Sequence, residues 1–525
     1  MTRGLKGRLH ISGRLVAVTA LHVGGLDGDD ALTDLPLARD GLGRVYLPGT
    51  SLAGALRALA TEVLADRGDL LDELFGPPTR PADTEPADAG SASRVTIADA
   101  TATARNVREE IRDGVGIDRV SGAAAFAIKF DRAVVPAGTA FRFGLVLEVP
   151  AGGSGDELQA ALAAVLQAAE EPWSLGAART RGLGQVKLTE LAVDWRGLAR
   201  DELLGWLAGG RGSARTLDDL RAKATTVGAA ARQPLRITVA WQPRGPLMVN
   251  AGMDGSDVDQ VPLVTGTADG NVALVLPGGS IKGALRTRAE LILRTVLGVD
   301  GTDVATTPAG FLGQLEEPAL DLVHWLFGLG GQPAENESAA VDGRQKGLGA
   351  LAVADCLAPL AVTRAQWQAI VNAPNEAAFR TARDAAGLSG WAKAMHVAVD
   401  RWTGGAAENL LFSVLEPFGV AWKPIELTVD LGRLPESKRD AALALLLFVL
   451  RDFATGAIPL GFGVNRGLGD LAVTDITLQG TLVGLPVDLP EQLVAGGEWK
   501  LDGDAADYYT QAWNAALNGG ANNAT

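Results

Sequence analysis

Two loop aspartates stand at matching places in this chain, Asp34 in "TDLPLARD" and Asp259 in "VDQVPLV". Each follows an alternating apolar strand and a Gly/Asp-rich loop, and each precedes Pro and Leu (Pro36, Pro262). A loop carboxylate can bind a divalent cation or take up a proton. Beside a turn-forming proline it can equally be a solvated loop residue. The spacing to proline is one residue in the first loop and two in the second, so Asp257 competes with Asp259 for the matched position. Asp27, Asp29, Asp30 and Asp254 make the same loops acidic. The other chemistry-bearing side chains are sparse. His10, His22, His324 and His396 and the single Cys356 are spaced like no zinc module, and one cysteine excludes an intramolecular disulfide.

The elements around these loops are themselves repeated. "LPGTSLAGALRAL" from Leu47 returns as "LPGGSIKGALRTR" from Leu276. "ELFGPP" is answered by "WLFGLG", "RVTIADA" by "GALAVADC", "GIDRVSGAAAFAIKFDRAVV" by "AVDRWTGGAAENLLFSVLEP", and "SLGAARTRGLGQVKL" by "PLGFGVNRGLGDLAV". Matches in the same order mark a tandem duplication, with domains expected over 1–230 and 231–525. Within each half the pattern reads strand, long loop, helix, strands, helix, Gly-rich loop, strand. That β-α-β-β-α-β order is α+β, a ferredoxin-like sandwich. The first helix is expected to open at Ser51 as N-cap, with Leu52, Leu56, Leu59 and Val63 on one face. Further helices are expected over 156–170 and 437–453.

The helix N-termini at Gly49 and Gly278 offer unpaired N–H groups to an anion. Ser51 and Ser280 can cap or bind, and Arg57 and Arg286 lie on the polar face. The loops "RTRGLG" and "NRGLG" place Arg179, Arg181 and Arg466 beside Gly182, Gly184, Gly467 and Gly469, whose amides can cradle an anion. They are not Walker A loops, because "GK[ST]" is missing.

Bulk composition limits the classes. A net charge of −15 excludes coating of nucleic acid by overall charge, so any such binding needs a local basic groove. The longest apolar run, "AALALLLFVL" from Ala441, is too short to cross a bilayer and suits a buried helix. The N-terminus lacks an apolar signal region. The expectation is a soluble, cytoplasmic protein with no membrane partner.

The ordered set of "HVGG", the Asp-x-Pro loop, "PGxSxxGxLR", "LFG", "DRx[ST]G" and "RGLG" resembles the RAMP superfamily, and within it the backbone subunits of type III CRISPR effectors, the antiviral defence complexes. The duplication is similar to type III-D-like effectors with fused subunits. The resemblance implies two RRM-like ferredoxin-like domains with inserted thumb and loop segments. It implies binding to a CRISPR RNA guide and to single-stranded target RNA. It implies assembly with further backbone subunits, a polymerase-like large subunit and a subunit that grips the guide's 5′ handle. It assigns target RNA cleavage to Asp34 and Asp259 as catalytic and metal-binding residues, with weakly held Mg²⁺ or a similar ion and no zinc. The same resemblance gives RNA contacts to His22, whose counterpart in the second half is Met248, and to Gly49, Ser51, Arg57, Gly278, Ser280 and Arg286. It adds Lys282, where the first half has Ala53, together with Arg179, Arg181, Arg466 and the loop glycines. Arg119 and Arg401 are placed at the thumb base, and Trp402 can stack on a base or be core. The alternatives are a structural filament module with one or both sites inactive, and a guide-processing nuclease. The latter needs a His or Tyr/Lys cluster that four scattered histidines do not supply.

Overall fold

The structure, a computed structural model, describes residues 4–25, 33–77, 91–210, 212–222, 234–252, 255–299, 303–330, 347–480, 489–501 and 503–521. Asp27, Asp29, Asp30 and Asp254 lie outside the described residues. The chain forms two compact units. Unit 1 comprises 1–110, 133–179 and 184–232. Unit 2 comprises 233–525 and also takes in 111–132 and 180–183. The division differs from a single cut near residue 230 by these two segments.

In unit 1, β1 (Leu5–Ala17) leads through the long loop to α1 (Gly49–Val63) and α2 (Gly68–Phe75). β2 (Val95–Ile97) follows, and the chain then runs through the hairpin strands β3 (Glu110–Ile117) and β4 (Ala124–Val134), whose residues 111–132 belong to unit 2. β5 (Ala140–Pro150), α3 (Gly155–Ala168) and β6 (Gln185–Gly197) complete the unit. The core strands lie in the order β6-β1-β5-β2, every pair antiparallel. Numbered within the half, this is 4-1-3-2, the ferredoxin-like order that the sequence pattern predicts. Period-2 alternation puts Phe141, Phe143, Leu145 and Leu147 of β5 on the buried face. There they join Leu52, Leu56 and Ala60 of α1 and Leu158, Leu162 and Val165 of α3.

Unit 2 repeats the plan. β7 (Leu235–Pro243) leads to α4 (Gly278–Leu297), α5 (Pro308–Leu315), α6 (Asp321–Phe327) and β8 (Leu351–Ala354). Two helices that the sequence reading did not anticipate come next, α7 (Arg364–Val371) and α8 (Glu376–Ala385). The hairpin strands β9 (Ala392–Val399) and β10 (Ala406–Glu416) precede β11 (Ile425–Val429), α9 (Glu436–Ala454) and β12 (Leu471–Gln479). The sheet order β12-β7-β11-β8 is again 4-1-3-2. The apolar run from Ala441 is the buried body of α9, packed among Leu235, Ile237, Leu285 and Leu326.

Both first helices begin at the glycine, with Pro48 and Pro277 before them, so Ser51 and Ser280 sit inside the first turn and are not N-caps. The cap comes from a distant strand. Gly49 N–H donates to Asp99 at 2.7 Å, and Gly278 N–H donates to Asp355 at 2.9 Å. These aspartates are the "AD" of the repeated "IADA" and "VADC". The glycine itself is required by proximity: a Cβ at Gly49 would lie 2.4 Å from Ile97 O, and one at Gly278 2.2 Å from Val353 O.

Candidate functional site

The aspartate loops are built alike. In unit 1, Ala38 N–H donates to Val23 O at 2.9 Å, closing the loop whose near end carries Asp34. Asp34 is exposed, and the next residue is fixed: Leu35 O accepts from Ala133 N–H at 3.0 Å. In unit 2, Leu263 N–H donates to Val249 O at 2.7 Å, and Gln260 O accepts from Leu415 N–H at 2.9 Å. The residue whose carbonyl meets the returning strand is Leu35 in one loop and Gln260 in the other. This register makes Asp259, not Asp257, the equivalent of Asp34.

The second loop alternates. Asp257 accepts from Lys393 Nζ of β9 at 2.8 Å, in a pair largely withdrawn from solvent. Val258 is buried against Trp367, Ile370 and Phe379 of α7 and α8. Asp259 is exposed at residue level, and its Oδ2 accepts from Ser413 N–H at 2.6 Å and Ser413 Oγ–H at 2.9 Å. The Ser413 bonds, with the Lys393 cation, hold the Asp259 carboxyl below the usual carboxylate range. Asp259 therefore stays ionised at neutral pH.

Mg²⁺ finds a thin donor set. Among the described residues no three His, Cys, Asp or Glu side chains gather to hold a metal. Among the described residues the first loop offers Asp34 and the second Asp259, with Asp257 tied to Lys393, and these alone do not make a self-sufficient hard-cation site.

Several expected RNA contacts are occupied within the fold. His22 is buried and its Nδ1 lies 2.7 Å from Ala133 O, so it is a packing residue here. Arg57 reaches Asp72 at 3.0 Å and also donates to Gly76 O. Arg286 donates to Gly328 O at 2.7 Å and to Glu290 at 2.6 Å. In each half, then, the "GALR" arginine holds the carbonyl of the "LFG" glycine, which explains why the two motifs recur together. Lys282 is 5% exposed and donates to Leu351 O at 2.6 Å, pointing inward and not toward a ligand. Burial, then Arg181 and Arg286, push its amine down to about 7. The first amide of each helix N-terminus is also taken, since Gly49 and Gly278 N–H donate to carboxylates.

The "DRx[ST]G" segments lie at the hairpin tips, not at the thumb base. Asp118 Oδ1 accepts from Val120 N–H, Ser121 N–H and Ser121 Oγ–H. Asp400 Oδ1 accepts from the same set, Trp402 N–H, Thr403 N–H and Thr403 Oγ–H. The short Asp side chain builds this turn locally. In unit 2 the first tip is further engaged. Asp118 Oδ2 accepts from Ala305 N–H and from Gln314 of α5, and Arg119 donates to Glu290 at 2.5 Å. Arg401 and Trp402 on the second tip are exposed, Trp402 at 96%.

The Gly-rich loops divide likewise. Gly184 and Gly469 have positive φ, and a Cβ there would meet Leu175 O at 2.2 Å and Leu460 O at 2.1 Å. These are tight-turn positions. Gly182 lies against Asp355, and Arg181–Gly182 pairs in parallel with Val353–Ala354. Gly467 faces open space, and exposed Arg466 rests over Phe462 and Phe412. Arg179 is half-buried. Of the expected cations, Arg181, Arg401 and Arg466 are the exposed ones.

Sequence reasoning missed Asp99, Asp355, Lys393 and Ser413. The first two had a signal, the repeated "AD". Lys393 and Ser413 had none, because the first half carries Asp131 at the position of Ser413 and no counterpart of α7 and α8.

A duplicated 4-1-3-2 sheet with an aspartate loop zipped to an inserted hairpin defines the class, and the comparisons agree with it. The RAMP superfamily model matches residues 14–187. A "CRISPR system Cms endoribonuclease Csm3" of Mycobacterium tuberculosis (strain ATCC 25618 / H37Rv) is 31% identical over 218 residues, covering 35% of this chain and 87% of the relative. A protein of the same name from Methanocaldococcus jannaschii is 27% identical over 210 residues, covering 36% of this chain and 82% of the relative. The chain belongs to the RAMP superfamily. None of its described helices is long and apolar enough to cross a membrane.

Proposed function

We propose that the chain is a guide-binding backbone subunit of a type III CRISPR effector complex and an endoribonuclease that cuts guide-bound target RNA at two places, one beside Asp34 and one beside Asp259. The observation that supports two sites is the shared backbone register, which gives each half one exposed loop aspartate immediately before a residue bonded to the hairpin strand. The chemistry fits the donor. RNA is cut when its 2′-OH attacks the adjacent phosphate in line, leaving a 2′,3′-cyclic phosphate and a 5′-OH. An ionised aspartate accepts the hydrogen bond of that 2′-OH, orients it and eases its deprotonation. The exposed cations Arg181, Arg401 and Arg466 are the phosphate contacts of this reading, and Trp402 is its stacking platform.

The test uses the complex assembled with guide and labelled target RNA. Asp34→Ala removes one cut and Asp259→Ala the other, with target binding unchanged. Cleavage that persists in the double variant refutes the assignment. One observation favours a structural second half: Ser413 already engages Asp259. On that reading Asp34→Ala abolishes all cutting.

A further inference from the structure

We propose that Ser413 and Lys393 are positioning residues that fix the Asp259 loop to the β9–β10 hairpin, so that the hairpin sets the aim of the second cutting carboxylate. This rests on the two-site reading above and adds the residues that orient one of its sites.

Three independent attachments converge on a short stretch. Asp257 is bound by Lys393 of β9, Asp259 by Ser413 of β10, and Gln260 is paired by backbone to β10, where it donates to Ser413 O at 3.0 Å and accepts from Leu415 N–H. Between the two aspartates Val258 is 3% exposed and seated on α7–α8, and Ser256 N–H donates to Val371 O at the end of α7 at 2.8 Å. A loop of this length, left to itself, samples many orientations, and each costs conformational entropy to select. Here one aspartate serves as the anchor and the next as the working group. Lys393 also lies 3.7 Å from Glu376 of α8, so its ammonium ties loop, hairpin and helical insertion together. Ser413 is 2% exposed, and its hydroxyl donates to the Asp259 carboxylate at 2.9 Å while accepting from Asp259 N–H at 3.0 Å. It grips one oxygen of an exposed residue. That arrangement leaves a carboxylate preorganised without hiding it. The acceptor set also explains why the loop reads D-V-D: the outer residues bond to the hairpin while the middle one packs.

The experiment compares both cuts in the same assembled complex, so the Asp34 cut is an internal control for folding, guide loading and target binding. Ser413→Ala removes one charge-assisted hydrogen bond and is expected to slow the second cut about tenfold, with the first cut and target Kd unchanged. Lys393→Met is expected to slow the second cut by a similar factor or more, and Lys393→Arg to restore most of it. The loss appears in the single-turnover rate and not in the apparent KM. Two results overturn the positioning role while leaving the two-site reading intact. One is a full-rate second cut in both Ser413→Ala and Lys393→Met when Asp259→Ala abolishes it. The other is equal slowing of both cuts, which marks a general folding defect. A second cut that survives Asp259→Ala overturns the underlying reading, and the positioning role with it.

Discussion

Asp99 and Asp355 occupy the same place in their halves and should differ several-fold in what their removal costs. Asp99 is exposed and accepts from the first amide of α1 at 2.7 Å. Its loss resembles the loss of a helix cap with favourable dipole sign, about 1 kcal/mol. Asp355 makes the same bond to α4 with Oδ1, but its Oδ2 also meets Arg112 at 2.5 Å, and the two side chains are only 5% and 9% exposed. Asp355→Ala therefore strands a nearly buried guanidinium, which costs about 3–5 kcal/mol in addition to the cap. For units of this size about 1 kcal/mol moves Tm by ~2–4 °C. Calorimetry of the full chain should show the unit 1 transition lowered by about 3 °C in Asp99→Ala and the unit 2 transition lowered by about 10 °C or more in Asp355→Ala. Arg112→Met in the Asp355→Ala background should recover part of the loss by removing the stranded charge. Equal shifts for the two alanine variants, or no recovery from Arg112→Met, would refute the buried-pair reasoning.

Lys282 predicts a pH signature. Its folded amine is held at about 7, so between there and the ordinary lysine value near ~10.4 the unfolded chain binds the extra proton. Its contribution is therefore least favourable below pH 7 and improves as pH rises, by a few kcal/mol at most over that window. Stability of unit 2 measured by denaturant titration should rise from pH 7 toward pH 10 by more in the native chain than in Lys282→Met. Gly469→Ala should destabilise unit 2 by roughly 2 kcal/mol or more, since the new Cβ meets a backbone carbonyl at positive φ. Trp402→Ala should leave stability within about 0.5 kcal/mol because the ring is exposed, while RNA affinity of the assembled complex falls.

The strand order was legible from the repeat because period-2 alternation and the sequence of segments reflect the sheet directly, as in β5 and β1. The start of the first helix was misread because a serine near a helix start suggests a local cap. The actual cap is a carboxylate on the following strand, and no local pattern encodes a partner that far away. The same limit governs the arginines. Arg57 and Arg286 read as ligand contacts because helical periodicity places them on a polar face, yet each finds its acceptor on the carbonyl that ends a later helix. The loop aspartates were found by alignment alone. Their register was ambiguous by sequence and was resolved by which carbonyl, Leu35 or Gln260, the returning strand meets. The α7–α8 insertion escaped notice because the comparison of halves has nothing to set beside it.

The long-range caps also bear on how far the halves can diverge in length. The contact from Asp99 to Gly49 closes 50 residues and the one from Asp355 to Gly278 closes 77. Loop-closure entropy grows only as the logarithm of length, so the longer enclosure costs about 0.4 kcal/mol more than the shorter. A single charge-assisted hydrogen bond exceeds that difference. Sequence added between the two stations of such a pair is therefore almost free in the thermodynamic sense, provided the stations themselves are kept, and insertions can accumulate between fixed points while both halves hold the same frame.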